Sequence, residues 1–536
     1  MLPPRVRRGS VDLPPCLDLL RARGWYKRTI VGASLLAALG ACSNAPEAFR
    51  DHPAGYPIVQ IAISRDPATL NPLISENEDE FYLEEAVFDG LLKFDAKGRL
   101  VPDLAVAVPS QTNGGITADL KTITYRLRRN VVWQDGSPFT SRDVAFTYRM
   151  LMSDRLASPL RSSYTQVASL KTPSLYTVVV QLRKPSVAAI SQIFVAGMGF
   201  IVPEHLLRRV DDVRRSLFNA APVGTGPFAV HSWNRGQDIE LVANDRYFKG
   251  RPRARGVRLR IVPDAATRAQ LVATGAVDLA RVNSSAVPSL TSVPGMRVVQ
   301  ERTTDIYYLD LNTSRAPLDD RAVREALAGA IDRPRIVSML GGGVQAADSL
   351  MPGDRRCPKT VRPASAVQTR NGGTLQLQIT YASTRAAEHT AVVLQQAWKA
   401  IGVDATLRPL PFALLYGERG AVVTGRYDVA IDGFGVAEPG GIGPIIETDN
   451  APPNGFNFSR YANANVDRWL VMADATEDER KRALLYANVQ ATLCRDAPII
   501  PLFWDTNTYA FNGRLHGFAP EPIMSDFWNV ASWSLY

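Results

Sequence analysis

Cysteine, histidine and carboxylate side chains carry most protein chemistry, and in this 536-residue chain few of them are grouped. Cys42 closes the run Leu39-Gly40-Ala41-Cys42, directly after the apolar stretch Ile30 to Ala41 and the basic pair Lys27-Arg28. A basic segment, an apolar core and small residues before a cysteine read as an export signal. Cleavage before Cys42 frees a thiol for acylation, and acyl chains there tether a soluble body to a membrane surface. The apolar stretch is too short to span: at about 1.5 Å per helical residue it reaches roughly 18 Å, against ~30 Å of hydrocarbon. Residues 1–41 are therefore expected to be a leader, and the body is expected in the periplasm or on the outer face of the cell membrane.

Cys357 and Cys494 are the two cysteines of that body. In an oxidising compartment they either pair or remain separate buried thiols, and their spacing leaves both open. The five histidines (His52, His205, His231, His389 and His516) are scattered and form no H-E-x-x-H zinc pattern. No G-x-S-x-G elbow occurs, and Gly341-Gly342-Gly343 lacks the Lys-Ser/Thr of a phosphate loop, which leaves the triplet as a helix end. No catalytic residue, metal or cofactor is expected, and the chain is not read as an enzyme.

The formal charge of +9 falls to +4 once residues 1–41 and their seven basic and two acidic side chains are removed. No basic run is interleaved with aromatics, so nucleic acid is not an expected partner. With 46% hydrophobic residues and no apolar run of 18 after Cys42, the body reads as globular. Its length exceeds one typical core and implies two or more lobes.

The elements that must position any site alternate between strand and helix. Residues 373–381 carry the alternation Leu375-Gln376-Leu377-Gln378-Ile379; Ala391, Leu394, Trp398 and Ile401 follow at helical spacing, Gly402 stops the helix, and 403–407 alternates again. This is a β-α-β unit. Asp319 or Asp320 caps a second helix whose apolar face is Val323, Ala326, Leu327, Ala330 and Ile331. It stops near Asp332-Arg333-Pro334, where a new helix begins. A third carries Leu485, Val489 and Leu493 behind the solvated charges Glu479 to Arg482. In 124–148, a strand at Tyr125 to Arg128 leads through a turn at Trp133-Gln134-Asp135-Gly136 to the helix start Thr140-Ser141-Arg142-Asp143.

The stretch Tyr125 to Thr140, with its Trp133-Gln134-Asp135-Gly136 turn, resembles the core motif of the family 5 extracellular solute-binding proteins. These are the oligopeptide-, dipeptide- and nickel-binding lipoproteins of bacterial ABC importers. Other segments resemble the same family in the same order: Asp66 to Pro72, Phe88-Asp89-Gly90-Leu91, Pro102 to Ala105, Pro222 to Phe228, Asn244 to Phe248, Gly275 to Asp278, Tyr308 to Thr313, Asp320 to Leu327, Ile331 to Arg333 and Asp496 to Leu502. The resemblance covers nearly all of the chain after Cys42.

It implies an α/β fold of the two-lobed periplasmic-binding-protein kind (type II, cluster C), with an extra subdomain on lobe I and a ligand cleft between the lobes. Lobe I is placed at 43–94, 215–305 and 505–536, the extra subdomain at 95–214 and lobe II at 306–504. The implied function is capture of peptides by lobe closure and delivery to an ABC permease and its ATPases, by a monomer held to the membrane through its lipid. The alternatives are a non-peptide solute, such as a nickel complex or sugar, or a ligand sensor; a secreted hydrolase is the least favoured.

In peptide-binding relatives an acidic residue shortly after a Gly-Trp pair holds the ligand's amino terminus. The matching segment here, Tyr427 to Pro439, has Phe434 where that Trp usually stands and is shorter, so Glu438 is the substitute acid. Phe434, Gly435, Val436 and Glu438 are the expected ligand contacts from this side, and the loop Glu76-Asn77-Glu78 is the expected contact from lobe I.

Overall fold

The computed structural model describes residues 57–75, 78–156, 158–197, 199–352, 373–521 and 525–536. Cys42, Glu76, Asn77, Cys357 and the side chain of Glu78 lie outside that description. Among the described residues eleven strands form the main sheet: β1 (Ile58–Ile63), β2 (Phe228–Asn234), β3 (Asp238–Ala243), β4 (Gly256–Ile261), β5 (Leu279–Val282), β6 (Met296–Leu311), β7 (Val344–Ala346), β8 (Leu375–Ala382), β9 (Val403–Leu410), β10 (Val429–Gly435) and β11 (Ile499–Asn512). Their order is β9-β8-β10-β6-β11-β5-β1-β4-β3-β2, with β7 paired to β11.

The longest of these, β6 and β11, pair antiparallel from Met296↔Asn512 to Asp310↔Ile499. One end of β11 is flanked by β5, and the other end of β6 by β10. The two strands thereby join two halves with separate cores. Val59, Leu259, Phe511 and Trp533 belong to the core of the first lobe, whereas Leu309, Ile379, Trp398 and Val429 belong to that of the second. A three-stranded sheet, Thr122–Arg126 with Thr177–Leu182 and Val167–Ser174, packs on the first lobe's core.

Local sequence explains these elements directly. Helix α1 (Glu78–Val87) is followed by α2 (Ser141–Leu151), whose N-terminus is a capping box: the Thr140 hydroxyl accepts from Arg142 N at 3.3 Å, and the Asp143 carboxylate accepts from Thr140 N at 2.9 Å. The turn before it is a brace. Gln134 Nε2 donates to Phe228 O at 2.8 Å and its Oε1 accepts from Gly224 N at 2.9 Å. At Gly224 an added Cβ would lie 1.8 Å from the Val87 carbonyl oxygen, so this approach admits only glycine.

In the second lobe the expected β-α-β unit is present. β8 and β9 run parallel from Leu375↔Val403, and α4 (Arg385–Lys399) crosses between them with Ala391, Leu394 and Trp398 fully buried. Before it, α3 (Arg321–Gly329) is capped by Asp320, which accepts from Ala322 N at 2.8 Å. Its inward face holds more than apolar groups: Arg324 is 6% exposed and donates to the carbonyls of Leu318 (2.8 Å), Asp319 (3.1 Å) and Asp496 (2.8 Å). Helices α5 (Ala464–Asp474) and α6 (Glu479–Asp496) complete the lobe, with Leu485, Val489 and Leu493 inward. Among the described residues no helix is long and apolar enough to cross a membrane.

Two stability measurements follow from this packing. Burial pushes Glu85 up to about 7 and lifts Glu84 well above its usual range. A carboxyl raised in the folded state stabilises that state below its ordinary pKa, and the benefit is lost as pH climbs through about 7. For Glu85 the change is on the order of 3 kcal/mol, so thermal unfolding scanned from pH 4 to 8 should lose stability less steeply in Glu85→Gln than in the parent. Gly224→Ala should lower the urea unfolding free energy by about 3 kcal/mol or more, and a cost under about 1 kcal/mol would contradict the close approach at Val87.

Candidate functional site

The two long strands lose register where the lobes meet. β6–β11 pairing steps from Arg302↔Thr506 to Ile306↔Trp504, so Thr303, Thr304 and Asp305 bulge opposite Asp505. Bulges re-aim side chains and soften a ladder locally. On its other edge β6 pairs with β10, which sets Asp305 against Gly435 and Ile306 against Phe434, and Val436 N donates to Thr304 O at 2.8 Å. The segment expected to meet ligand is therefore seated on the bulge.

Its residues divide by role. Val436 is 1% exposed and packs in the second lobe with Ile306 and Ile442, so its side chain is core. Gly435 is exposed and Phe434 half-buried. Glu438 keeps exposed surface, yet its Oε1 accepts from Ser191 Oγ at 3.1 Å. Desolvation raises its pKa, opposed by that hydrogen bond and by the Arg482 charge. Of the expected lobe I loop, only the backbone of Glu78, at the start of α1, falls within the described residues. Cys494 is disulfide-bonded, and the other three cysteines of the chain lie outside the described residues.

Sequence reasoning missed the carboxylates at the bulge. Asp305 is exposed, and among the described residues no cation pairs with it; partial desolvation of its carboxyl raises its pKa. Asp505 is raised by burial first and then by the Asp305 charge, with Thr506 N donating to it at 2.8 Å. Tyr307 stacks on Phe503 beside them, centroids 4.9 Å apart and planes at 19°. Farther along β10, Asp432 accepts from Tyr416 Oη and from Gly433 N, both at 2.7 Å. Burial and the neighbouring Asp432 charge hold the carboxyl of Asp310 well above its usual range.

An aromatic series begins at Phe434, on the face of β10 that also carries Asp432 and opposite the face of Gly435 and Asp305. Phe434 meets Phe456 at 5.8 Å between centroids, Phe456 meets Phe458 at 6.2 Å, Phe458 meets Tyr416 at 6.1 Å, and Tyr416 meets Phe412 at 4.6 Å. Phe412 is 71% and Phe456 53% exposed, large values for rings of this size. Carboxylates beside aromatic faces suit a ligand carrying a cationic group and apolar side chains.

The strand edge adds main-chain groups. β8 pairs with β10 only as far as Tyr381↔Ile431, while β6 continues to Gly435. Antiparallel alternation turns the carbonyls of Gly433 and Gly435 and the N–H of Gly435 away from β6. No strand among the described residues covers them there. A further contact bridges the far side: Asp474 Oδ1 accepts from Ser186 Oγ and Ala188 N, each at 3.0 Å, and Asp474 O accepts from Val187 N at 2.7 Å.

Comparison with known proteins agrees with this architecture. Residues 99–445 match the bacterial extracellular solute-binding proteins, family 5 Middle. The chain is 24% identical over 499 residues to the oligopeptide-binding protein AppA of Bacillus subtilis, covering 88% of this chain and 90% of the relative. It is 26% identical over 459 residues to a putative ABC transporter peptide-binding protein of Brucella ovis, covering 81% and 85%. The structure of HbpA2 from Haemophilus parasuis superposes with a TM-score of 0.78 at 23% identity, covering 89% of this chain and all of that one. The chain belongs to the family 5 extracellular solute-binding proteins.

In a protein that closes on its ligand, contacts made only in the closed state add to affinity. Asp474→Ala removes two bonds to a carboxylate, each worth about 1.5–3 kcal/mol, so ligand affinity by calorimetry should fall on the order of a hundredfold or more. Unchanged affinity, with unchanged small-angle scattering of the liganded protein, would show that the Asp474 contact plays no part in closure.

Proposed function

We propose that this protein is the peptide receptor of an ABC importer, exported, acylated at Cys42 and acting as a monomer that presents closed, loaded lobes to a membrane permease. The family and the two relatives named for peptide binding support the substrate class. The observation that carries it is the uncovered edge of β10 at Gly433 to Gly435, where an extended peptide adds a strand through main-chain bonds. The peptide's ammonium goes to Asp305, which stands against Gly435 and has no competing cation among the described residues. Its apolar side chains lie along Phe434 and Phe456.

In this reading lobe I comprises 43–94, 215–305 and 505–536, the extra subdomain 95–214 and lobe II 306–504, with the hinge at the bulge. Glu76, Asn77 and Glu78 approach from lobe I, Glu438 acts through Ser191 in closure, and Cys357 partners Cys494. The protein does no chemistry on its cargo; partner ATPases drive transport. Among the described residues no three His, Cys, Asp or Glu side chains gather as metal ligands, so no observation favours a nickel cargo.

Native mass spectrometry of the purified chain should reveal a peptide ladder bound one per protein, and a single non-peptide mass would overturn the substrate class. Against a peptide so identified, Asp305→Asn should weaken binding more than tenfold while leaving the N-acetylated peptide, already weak, unaffected. Equal affinities of parent and variant for the free-amine peptide would remove Asp305 from the site.

A further inference from the structure

The first lobe carries a run of positive charge at 245–258, where Arg246, Lys249, Arg251, Arg253, Arg255 and Arg258 stand against the one carboxylate of Asp245. Ala254 and Val257 of the same run belong to that lobe's core. Three of the cations are neutralised where they stand: Lys249 pairs with Asp103, Arg251 with Asp245 at 3.0 Å, and Arg258 with Asp238 at 2.7 Å. Arg246, Arg253 and Arg255 are exposed, and among the described residues no carboxylate pairs with any of them. Pro252, Ala254 and Gly256, which alternate with the last two, are buried.

Backbone bonds fix where this charge sits. Arg253 N donates to Ala531 O and Arg255 N to Pro57 O, both at 3.1 Å, and β4 then starts beside β1 with Ile58 against Gly256. The chain thus enters the first lobe alongside the arginines. Cys42 precedes Pro57 by fifteen residues, a reach of at most about 50 Å. β5 runs parallel to β1, and its pairing with β11 advances from Leu279↔Phe511 to Val282↔Thr508, toward Asp505 and the bulge. β1 therefore begins at the edge of its sheet away from the bulge, and so does the arginine run.

A guanidinium without a carboxylate partner is well matched to phosphate, which it meets with a planar fork of donors. Near an anionic bilayer each such cation gains about fivefold in partition. Three of them hold an untethered protein only weakly. A tether ending beside them converts that weak contact into an intramolecular one, with a high effective concentration of lipid.

We propose that Arg246, Arg253 and Arg255 form a docking surface for anionic phospholipid headgroups, on which the tethered protein rests with its cleft turned away from the bilayer. The proposal rests on acylation at Cys42. It assigns the unpaired arginines a partner that the ligand cleft does not provide, and it gives the receptor a resting orientation as well as an anchor.

The test is arginine footprinting of the acylated protein, purified from membranes in detergent and reconstituted on vesicles of phosphatidylcholine alone or of equimolar phosphatidylglycerol and phosphatidylcholine. Phenylglyoxal labelling is read at each arginine by peptide mass mapping. Arg246, Arg253 and Arg255 should label at least threefold more slowly on the anionic vesicles, while the exposed Arg385 at the start of α4 labels equally on both. Salt at about 0.5 M, where the screening length falls to roughly 4 Å, should remove the difference. In a double variant, Arg253→Glu with Arg255→Glu, Arg246 should label on anionic vesicles at its phosphatidylcholine rate. Equal labelling of the parent on both vesicles overturns the proposal, as does protection of Arg246 that persists in the double variant or in salt. Flotation with phosphatidylcholine vesicles reports the tether alone: a protein that does not float there overturns acylation at Cys42, and the labelling comparison on anionic vesicles still decides the docking surface.

Discussion

Everything in this molecule that requires two lobes depends on the pairing of β6 with β11. Their ladder is continuous with the first lobe's sheet through β5 and with the second's through β10. Such a connection resists shear, because sliding would break bonds along the whole ladder, but it permits bending where bonds are missing. The bulge at Thr303 to Asp305, with the second register step between Tyr307 and Tyr308 beside it, is such a place. A hinge needs only a few residues able to absorb a backbone change while packed elements on either side stay rigid. The cores of the two lobes, sharing no residue, supply the rigid parts.

The fold was legible in the sequence wherever local codes were sufficient. Ala391, Leu394 and Trp398 could be placed on a buried helix face from spacing alone, because helical periodicity needs no knowledge of the partner sheet. The Thr140 to Asp143 start was equally readable, since a capping box is completed within four residues. Arg324 was not. It lies on the buried side of α3, and its acceptors include the carbonyl of Asp496, far off in sequence. A polar side chain among apolar neighbours reads as an interruption until the carbonyls it serves are known.

The site was legible only in part, for the same reason. Phe434, Gly435 and Glu438 were expected from the segment they occupy and keep exposed or half-exposed surface, whereas Val436 in the same segment turns into the core. Asp305 carried no signal at all. It becomes a candidate only through its register with Gly435 and its position opposite Asp505, and both relations cross a long stretch of chain. The quoted motifs, by contrast, are chiefly braces: Gln134 ties the turn to Gly224 and Phe228, and Gly224 is dictated by the Val87 carbonyl. Motifs that hold a scaffold together identify the family strongly and its ligand weakly.

That division has a thermodynamic consequence for binding. A ligand shifts the lobes toward closure only by the difference between its contacts in the closed and open states. The edge of β10 and Asp305 belong to one lobe and the adjoining bulge, so bonds that a ligand made there would favour both states nearly equally. The contacts of Ser186, Ala188 and Ser191 with Asp474 and Glu438 involve segments far apart in the chain and need no ligand atom. Desolvation raises both carboxylates, while their hydrogen bonds and then the Arg482 charge lower them, so this contact is a balance of opposing terms with a small net value. Closure poised in this way lets a modest contribution from the ligand's far end decide the state, which suits a receptor that must both capture its cargo and release it.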